Sequence, residues 1–143
     1  MTKIRHTGIV TNNLKKSLSF WKNQLNFKIN KSLIEKGKTL DKVLGYKNVS
    51  VKTIKMSDGN GNLIELLYFN NSPKNKKINI KPYTIGLTHI SLTVKNINKI
   101  YRKLVKKKIL FNSKPQKSED EKVLMTYCRT PEGCFVELVE ELK

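Results

Sequence analysis

Hydrophobic and polar positions along the chain follow the same order twice. The segments "HTGIVTNNLKKSLSFW", which starts at His6, and "HISLTVKNINKIYRKL", which starts at His89, each pass from the alternation typical of a strand into the spacing typical of a helix. Apolar residues at helical spacing are Leu14, Leu18, Trp21 and Leu25 in the first segment and Ile97, Ile100, Tyr101, Leu104 and Val105 in the second. The pattern predicts a strand followed by an amphipathic helix in each half of the chain.

The residues that flank these helices and close each half strengthen the repeat. Asn13 and Asn96 precede the two helices, where an asparagine side chain accepts hydrogen bonds from the free amides of the first turn. Each half closes on a turn followed by an apolar run typical of a strand, "DGNGNLIELLYF" and "RTPEGCFVELVEE". Two further strands are predicted in between, from "FKINKSLIE" and "VSVKTIKM" in the first half and from "ILFNSKP" and "KVLMTYCR" in the second. Each half is therefore predicted to be a β-α-β-β-β module.

The boundary between the modules is predicted from a polar, lysine-rich stretch bracketed by prolines, "NNSPKNKKINIKP". We expect a first module over residues 1–72, a linker over 73–83 and a second module over 84–143. The first module carries an insert, "KGKTLDKVLGYKNVS", since His6 lies 59 positions before Glu65 (65 − 6) and His89 only 48 before Glu137 (137 − 89). The insert is predicted to form a loop over the mouth of a cavity, where it would shape the substrate site.

Composition is that of a globular protein. The 143 residues are 38% hydrophobic, enough for a core, and no apolar run reaches the roughly 20 residues that a membrane helix needs. The first ten residues show no hydrophobic signal core, so we expect a cytoplasmic protein. Cys128 and Cys134 match neither a disulfide framework nor a zinc pattern.

The formal net charge of +18 makes nucleic-acid binding one hypothesis to weigh. The basic residues are almost all lysines spread over every segment, and the densest run, "KLVKKKIL", falls on the polar side of the second helix. Arginine, which makes the bidentate contacts favoured at phosphates and bases, occurs only at Arg5, Arg102 and Arg129. This distribution favours a solvated surface, so neither a nucleic acid nor a membrane is expected as a partner.

Two carboxylates interrupt the closing strands at equivalent places. Glu65 follows Gly61 by four residues, and Glu137 follows Gly133 by four. Since successive strand residues face opposite sides, each glutamate belongs to one face of its sheet, which we expect to line a cavity. A buried charge is costly unless it is paired or bound to an ion, so each glutamate needs a partner.

The only two histidines of the chain, His6 and His89, open the two modules at the equivalent position. Two imidazoles and two carboxylates from four strands form a typical donor set for a divalent cation, whose charge offsets that of the carboxylates. The alternative is that each histidine is a satisfied core residue and each glutamate points to solvent. That alternative has to explain the same placement in both modules, so we favour the metal site.

With these features the sequence resembles the vicinal oxygen chelate superfamily, which includes glyoxalase I, methylmalonyl-CoA epimerase, extradiol dioxygenases, and fosfomycin and bleomycin resistance proteins. The resemblance rests on "HTGIVTNNLKKSLSFWKNQLNF", "DGNGNLIELLYF", "THISLTVKNI" and "PEGCFVELVE" and spans nearly the whole chain. It implies an α+β fold in which two β-α-β-β-β modules form a half-open eight-stranded barrel around one divalent ion (Ni²⁺, Zn²⁺, Co²⁺ or Mn²⁺). It also implies a homodimer, with the barrels completed within or between chains.

Carried over position by position, the resemblance implies His6, Glu65, His89 and Glu137 as metal ligands. This set is most similar to bacterial glyoxalase I, because extradiol dioxygenases and fosfomycin-type enzymes resemble a pattern of two histidines and one glutamate. The implied reaction on a small-molecule substrate is metal-dependent proton transfer next to a carbonyl, of the lactoylglutathione lyase type. Glu137 and Glu65 are the implied catalytic bases.

Two alternatives within the same fold stay open. An acyl-CoA epimerase of the methylmalonyl-CoA type is implied by "VKNINKIYRKLVKKKI", which is similar to its second module, and it implies Glu35 as a participant outside the metal ligands. The other alternative is a resistance protein that binds a small molecule. Glyoxalase I resembles a pattern with Arg and Asn at positions where this chain has Val10 and Phe69. That departure argues against glutathione as the substrate and leaves the metal chemistry unaffected.

Overall fold

Each half of the chain forms its own four-stranded mixed sheet in a computed structural model that describes residues 1–71 and 79–142. The chain divides into two units, residues 1–76 and 77–143. Of the linker predicted over residues 73–83, the part from 73 to 78 lies outside the described residues. No helix in the described ranges is both long enough and apolar enough to cross a bilayer.

The first unit follows the predicted element order with one additional helix. Its elements are β1 (Thr7–Val10), α1 (Leu14–Leu18) with a π-helical continuation (Ser19–Gln24), β2 (Lys28–Lys36), α2 (Lys38–Leu44), β3 (Ser50–Ser57) and β4 (Leu63–Phe69). The sheet order is β1-β4-β3-β2, and only the β1–β4 pair is parallel. The closing strand β4 therefore lies in the middle of the sheet, between β1 and β3, which is where Glu65 has neighbours on both sides.

The prediction of a loop for the whole insert is wrong, because the insert contains α2. The Asp41 carboxylate accepts hydrogen bonds from the backbone N–H groups of Asn48 (2.9 Å) and Val49 (2.8 Å) and so ties the following segment to the helix. Gly45 ends the helix with a left-handed φ of 72°. A helix of seven residues is only marginally stable by itself, so these local contacts stabilise it. Hydrophobic periodicity gives no sign of such contacts.

The core of the first unit is aromatic. Trp21 is fully buried and meets the rings of Phe20 and Phe27 edge to face, with centroid distances of 5.2 and 5.5 Å. The predicted stripe is shifted, because Ser17, Phe20 and Trp21 are buried while the three leucines of the stripe are only half-buried. The reason is the π-helical turn, in which the Leu25 N–H bonds to the Phe20 carbonyl at 3.0 Å and rotates the helix face.

The second unit repeats the same plan. Its elements are β5 (His89–Thr93), α3 (Ile97–Lys106), β6 (Gln116–Lys117), β7 (Val123–Arg129) and β8 (Phe135–Glu141), with sheet order β5-β8-β7-β6. The two predicted helix caps are confirmed. Asn13 accepts from the Lys16 N–H at 3.0 Å, and Asn96 accepts from the Lys99 N–H at 2.9 Å.

The strand predicted from "ILFNSKP" is wrong except at its start. A single bridge joins Phe111 to Cys128, and regular pairing resumes only at β6. From Phe111 to Gln116 the chain advances five residues (116 − 111), whereas the β7 segment that pairs with it, from Met125 to Cys128, advances only three (128 − 125). The bulged segment is held by the Thr126 hydroxyl, which donates to the Ser113 carbonyl at 2.7 Å, and contains Pro115, which has no N–H for a ladder.

Candidate functional site

The first unit brings His6 and Glu65 into contact. Gly8 lies directly opposite Glu65 in the parallel β1–β4 pair. Because side chains alternate along a strand, His6, two residues before Gly8, lies on the same side as the glutamate. His6 Nε2 is 3.2 Å from Glu65 Oε2, and Glu65 is only 9% exposed. The predicted buried carboxylate of this module and its histidine are thus neighbours.

The second unit repeats this geometry more loosely. Ser91 lies opposite Glu137 in the parallel β5–β8 pair, and His89 lies two residues before Ser91. The distance from His89 Nε2 to Glu137 Oε2 is 3.8 Å. His89 Nδ1 is 3.1 Å from the Thr88 hydroxyl, so this contact orients the ring and leaves Nε2 directed at the carboxylate.

Lys55 completes the surroundings of Glu65 and was missed by the sequence reasoning. It lies directly opposite Glu65 in the antiparallel β3–β4 pair, and its Nζ is 3.0 Å from Glu65 Oε1. The Lys55 side chain is 37% exposed, so this ion pair joins a partly exposed ammonium to a poorly exposed carboxylate. Both oxygens of a buried glutamate therefore have a partner within the first unit.

Tyr127 occupies the same place beside Glu137. It lies directly opposite Glu137 in the β7–β8 pair, so its side chain shares a sheet face with that carboxylate. Burial raises the pKa of Tyr127, and the negative charge and acceptor oxygens of the nearby Glu137 raise it further, so the phenol keeps its proton. Lys55 and Tyr127 each precede their glutamate by ten positions (65 − 55 and 137 − 127), a match between the repeats that could have identified both.

Aromatic rings extend the surface around Glu137. The Tyr127 ring meets the His89 ring edge to face at 5.3 Å and the Phe135 ring at 6.1 Å. The guanidinium carbon of Arg129 lies 4.2 Å from the centroid of Phe135. His89 therefore lies between the Thr88 hydroxyl and the Tyr127 ring. In the described part of the chain, His6 has no such contact with an aromatic ring.

Glu35 lies on the same sheet face as Glu65, two strands away. It pairs with Val51, which lies four residues before Lys55 on β3, and an even separation keeps the side chains on one face. The buried Thr53 hydroxyl donates a hydrogen bond to Glu35 Oε2. The side chain is thus oriented by a contact of its own, and its part in a reaction stays a prediction.

The donor atoms fit a metal ion in pairs. Each unit offers one imidazole nitrogen and one carboxylate, both of which bind Zn²⁺ and similar borderline cations. Within residues 1–71 and 79–142, no group of three or more His, Cys, Asp or Glu side chains is placed so that it could hold a metal. Each pair fits half of the predicted donor set, and the complete set of His6, Glu65, His89 and Glu137 stays a prediction.

The sequence matches the family model of the glyoxalase/bleomycin resistance protein/dioxygenase superfamily over residues 3–138. The chain belongs to this superfamily. Its resemblance to vicinal oxygen chelate proteins, which rested on the repeated strand–helix and turn–strand segments, is thereby confirmed. No curated protein matches the chain closely enough to indicate a relationship.

Solved structures show the same fold over the full length. A glyoxalase family protein from Bacillus cereus is 21% identical, with 100% of this chain and 96% of that chain covered and a TM-score of 0.90. The trypanothione-dependent glyoxalase I of Leishmania major is 17% identical, with 99% and 88% covered and a TM-score of 0.66. A variant of the fosfomycin resistance protein FosX from Listeria monocytogenes, complexed with Mn(II), is 11% identical, with 96% and 89% covered and a TM-score of 0.67. The predicted α+β fold of this superfamily is confirmed.

Proposed function

We propose that the protein is a metal-dependent lyase or isomerase of the glyoxalase I type, which moves a proton at the carbon next to a substrate carbonyl. The observation that carries the proposal is the repeated pair of an imidazole and a poorly exposed carboxylate, His6 with Glu65 and His89 with Glu137. Membership of a superfamily that contains glyoxalases supports it. A glyoxalase I and a protein complexed with Mn(II) occur among the proteins of similar fold, which supports the metal.

The two pairs together are proposed to hold one divalent ion. When bound, such an ion supplies the Lewis acidity that polarises a carbonyl and stabilises the negative charge that develops on its oxygen. The histidines would hold the ion as neutral imidazoles, and His89 is oriented for this by its contact with Thr88. Ni²⁺, Zn²⁺, Co²⁺ and Mn²⁺ all accept these donors, so the donor set alone does not select the metal.

Glu137 is the better candidate for the catalytic base, with Glu65 as the second. The Glu137 side chain is 17% exposed against 11% for Glu65, and its distance to histidine is 3.8 Å against 3.2 Å. Glu137 also lies opposite a neutral phenol, whereas Glu65 is paired with an ammonium group. A carboxylate that is held less tightly reorients more easily to accept a proton from the substrate, and Tyr127 would keep it aimed.

The proposed substrate is a small carbonyl compound other than a glutathione adduct. Val10 and Phe69 belong to the same sheet face as Glu65, since they pair with Leu67 and Val51, which share that face. Apolar side chains at these two positions offer no hydrogen bonds to the carboxylates and amides of glutathione. Apolar contact with a substrate is what they would supply instead.

An acyl-CoA epimerase is the second candidate, and the position of Glu35 favours it. Glu35 shares a sheet face with Glu65 and is oriented by Thr53 without being part of either histidine–glutamate pair. A second carboxylate outside the metal ligands suits a reaction in which one group removes a proton and another returns it to the opposite side.

Proton exchange in deuterated water tests the proposal. The metal-loaded protein is incubated with the glutathione hemithioacetal of methylglyoxal, with 2-methyl-branched acyl-CoA thioesters and with simple 2-oxo and 2-hydroxy compounds, and deuterium at the carbon beside the carbonyl is measured. We expect uptake with at least one substrate and a fall of roughly 100-fold or more in Glu137→Gln, because general base catalysis contributes that much. Glu141→Gln, an exposed carboxylate on the same strand, is the matched control and should keep full exchange.

Two results would contradict parts of this scheme. Unchanged exchange in Glu137→Gln removes Glu137 from the role of base and transfers it to Glu65. Absence of exchange with every substrate, in protein shown to carry metal, contradicts the enzyme and favours a protein that binds a small molecule.

A further inference from the structure

Lys55 forms an ion pair with one oxygen of Glu65, the carboxylate that a metal ion would need as a ligand. Glu65 Oε1 lies 3.0 Å from Lys55 Nζ, and Oε2 lies 3.2 Å from His6 Nε2. A carboxylate that is only 9% exposed requires such partners, since burial removes its water. The ammonium therefore neutralises Glu65, as a bound cation would.

A divalent ion and Lys55 cannot both hold Glu65 without mutual repulsion. An ion bound to this carboxylate adds two positive charges within a few ångströms of the ammonium, and like charges at such separations repel strongly in a partly dehydrated site. The Lys55 side chain is 37% exposed and has a flexible stem, so it has a route into solvent. Metal binding at Glu65 then requires the ion pair to break.

We infer that Lys55 is an internal counter-ion of Glu65 that a divalent ion must displace, so that Lys55 lowers the metal affinity of the site. The inference rests on the proposed function, because it takes Glu65 to be a metal ligand. Its effect is confined to the first unit, since the equivalent neighbour of Glu137 is the neutral Tyr127. Metal binding at Glu137 would not require Tyr127 to give up a charge, whereas metal binding at Glu65 would require one cation to replace another.

Calorimetric titration of the metal-free protein with Mn²⁺ tests this without any measurement of activity. Lys55→Met removes the charge and keeps an unbranched side chain that is one heavy atom shorter. We expect this variant to bind Mn²⁺ roughly tenfold more tightly, because the ion pair and its repulsion of the metal are gone. Lys55→Arg keeps the charge and should bind like the wild type. Lys52→Met, on the same strand and the opposite face, removes an equal charge from the protein and should leave the affinity unchanged.

The outcomes separate the inference from the proposed function. Equal or weaker Mn²⁺ binding in Lys55→Met, while Glu65→Gln loses binding, overturns the role of Lys55 and leaves Glu65 as a ligand. No binding by the wild type and by Lys55→Met overturns both. Lys55→Gln is a second neutral variant, and tighter binding in both neutral variants but not in Lys52→Met establishes that the local charge is responsible.

Discussion

The two units place a histidine and a glutamate in the same register but surround the glutamate differently. In the first unit Glu65 contacts His6 and the ammonium of Lys55 at 3.2 and 3.0 Å. In the second unit Glu137 lies 3.8 Å from its histidine and directly opposite Tyr127. One carboxylate thus has a charged cross-strand neighbour and the other has a neutral one.

This difference shows which features of the site are fixed by the repeated fold and which can vary between the two units. The parallel pairing of the opening and closing strands puts the histidine two residues before the partner of the glutamate in both units. The residue across the other strand pair is free to differ, and here it is Lys55 in one unit and Tyr127 in the other. The scaffold repeats the donor pair, and the third neighbour decides how tightly each carboxylate is held.

The cores of the two units differ as well, and truncation of their central residues has the largest expected effect. Trp21 packs between two aromatic rings in the first unit, whereas Leu104 is fully buried in the second. We expect Trp21→Ala to lower the free energy of unfolding by about 3–5 kcal/mol and Leu104→Ala by about 2–5 kcal/mol, from lost burial and the cavity that remains. Urea unfolding followed by circular dichroism measures both.

Val105→Ala is the control for these truncations, because Val105 follows Leu104 on the same helix and is 44% exposed. It should change the free energy of unfolding by less than about 1 kcal/mol, as an exposed truncation does. A cost for Trp21→Ala no greater than that of Val105→Ala would show that the aromatic cluster does not hold the first unit together.

Removal of each histidine tests whether the two units serve one ion. If both pairs hold the same ion, His6→Ala and His89→Ala should each weaken Mn²⁺ binding by roughly 100-fold or more, since a lost ligand costs at least as much as a lost outer partner. The wild type should bind one equivalent per chain by calorimetry. Two equivalents, with each variant losing one of them, would show that the units bind metal separately.

Much of the fold was predictable because it depends on short-range pattern. The helix caps Asn13 and Asn96 and the strands β3, β4, β7 and β8 follow from local residue types and alternation. The structure confirms them. The helix in the insert and the bulge before β6 were not predictable, since they depend on hydrogen bonds between the side chains of Asp41 and Thr126 and particular backbone groups outside their own elements. Periodicity carries no information about such contacts.

The candidate site likewise contains residues that could be predicted from the sequence and one residue, Lys55, that could not. His6 with Glu65 and His89 with Glu137 could be paired from the repeat alone, because each histidine opens its module and each glutamate follows the glycine of the closing turn by four residues. Lys55 was not identified among the many lysines of the chain, since its role depends on which residue of β3 faces Glu65. That register is set by the length of the turn between β3 and β4, which apolar pattern does not define.

Transfer of the lysine from the first unit to the second gives the smallest expected effect and the most direct test of the comparison. In Tyr127→Lys an ammonium replaces the phenol opposite Glu137 and should pair with it as Lys55 pairs with Glu65. We expect Mn²⁺ binding to weaken by up to about tenfold, because two carboxylates would then have to exchange a cation for the metal. Tyr127→Met, which also removes the ring contact with His89 but adds no charge, is the control. If Met weakens binding as much as Lys does, the ring and the hydroxyl matter in the second unit and charge does not; if only Lys weakens binding, the neutral neighbour of Glu137 is what distinguishes the two units.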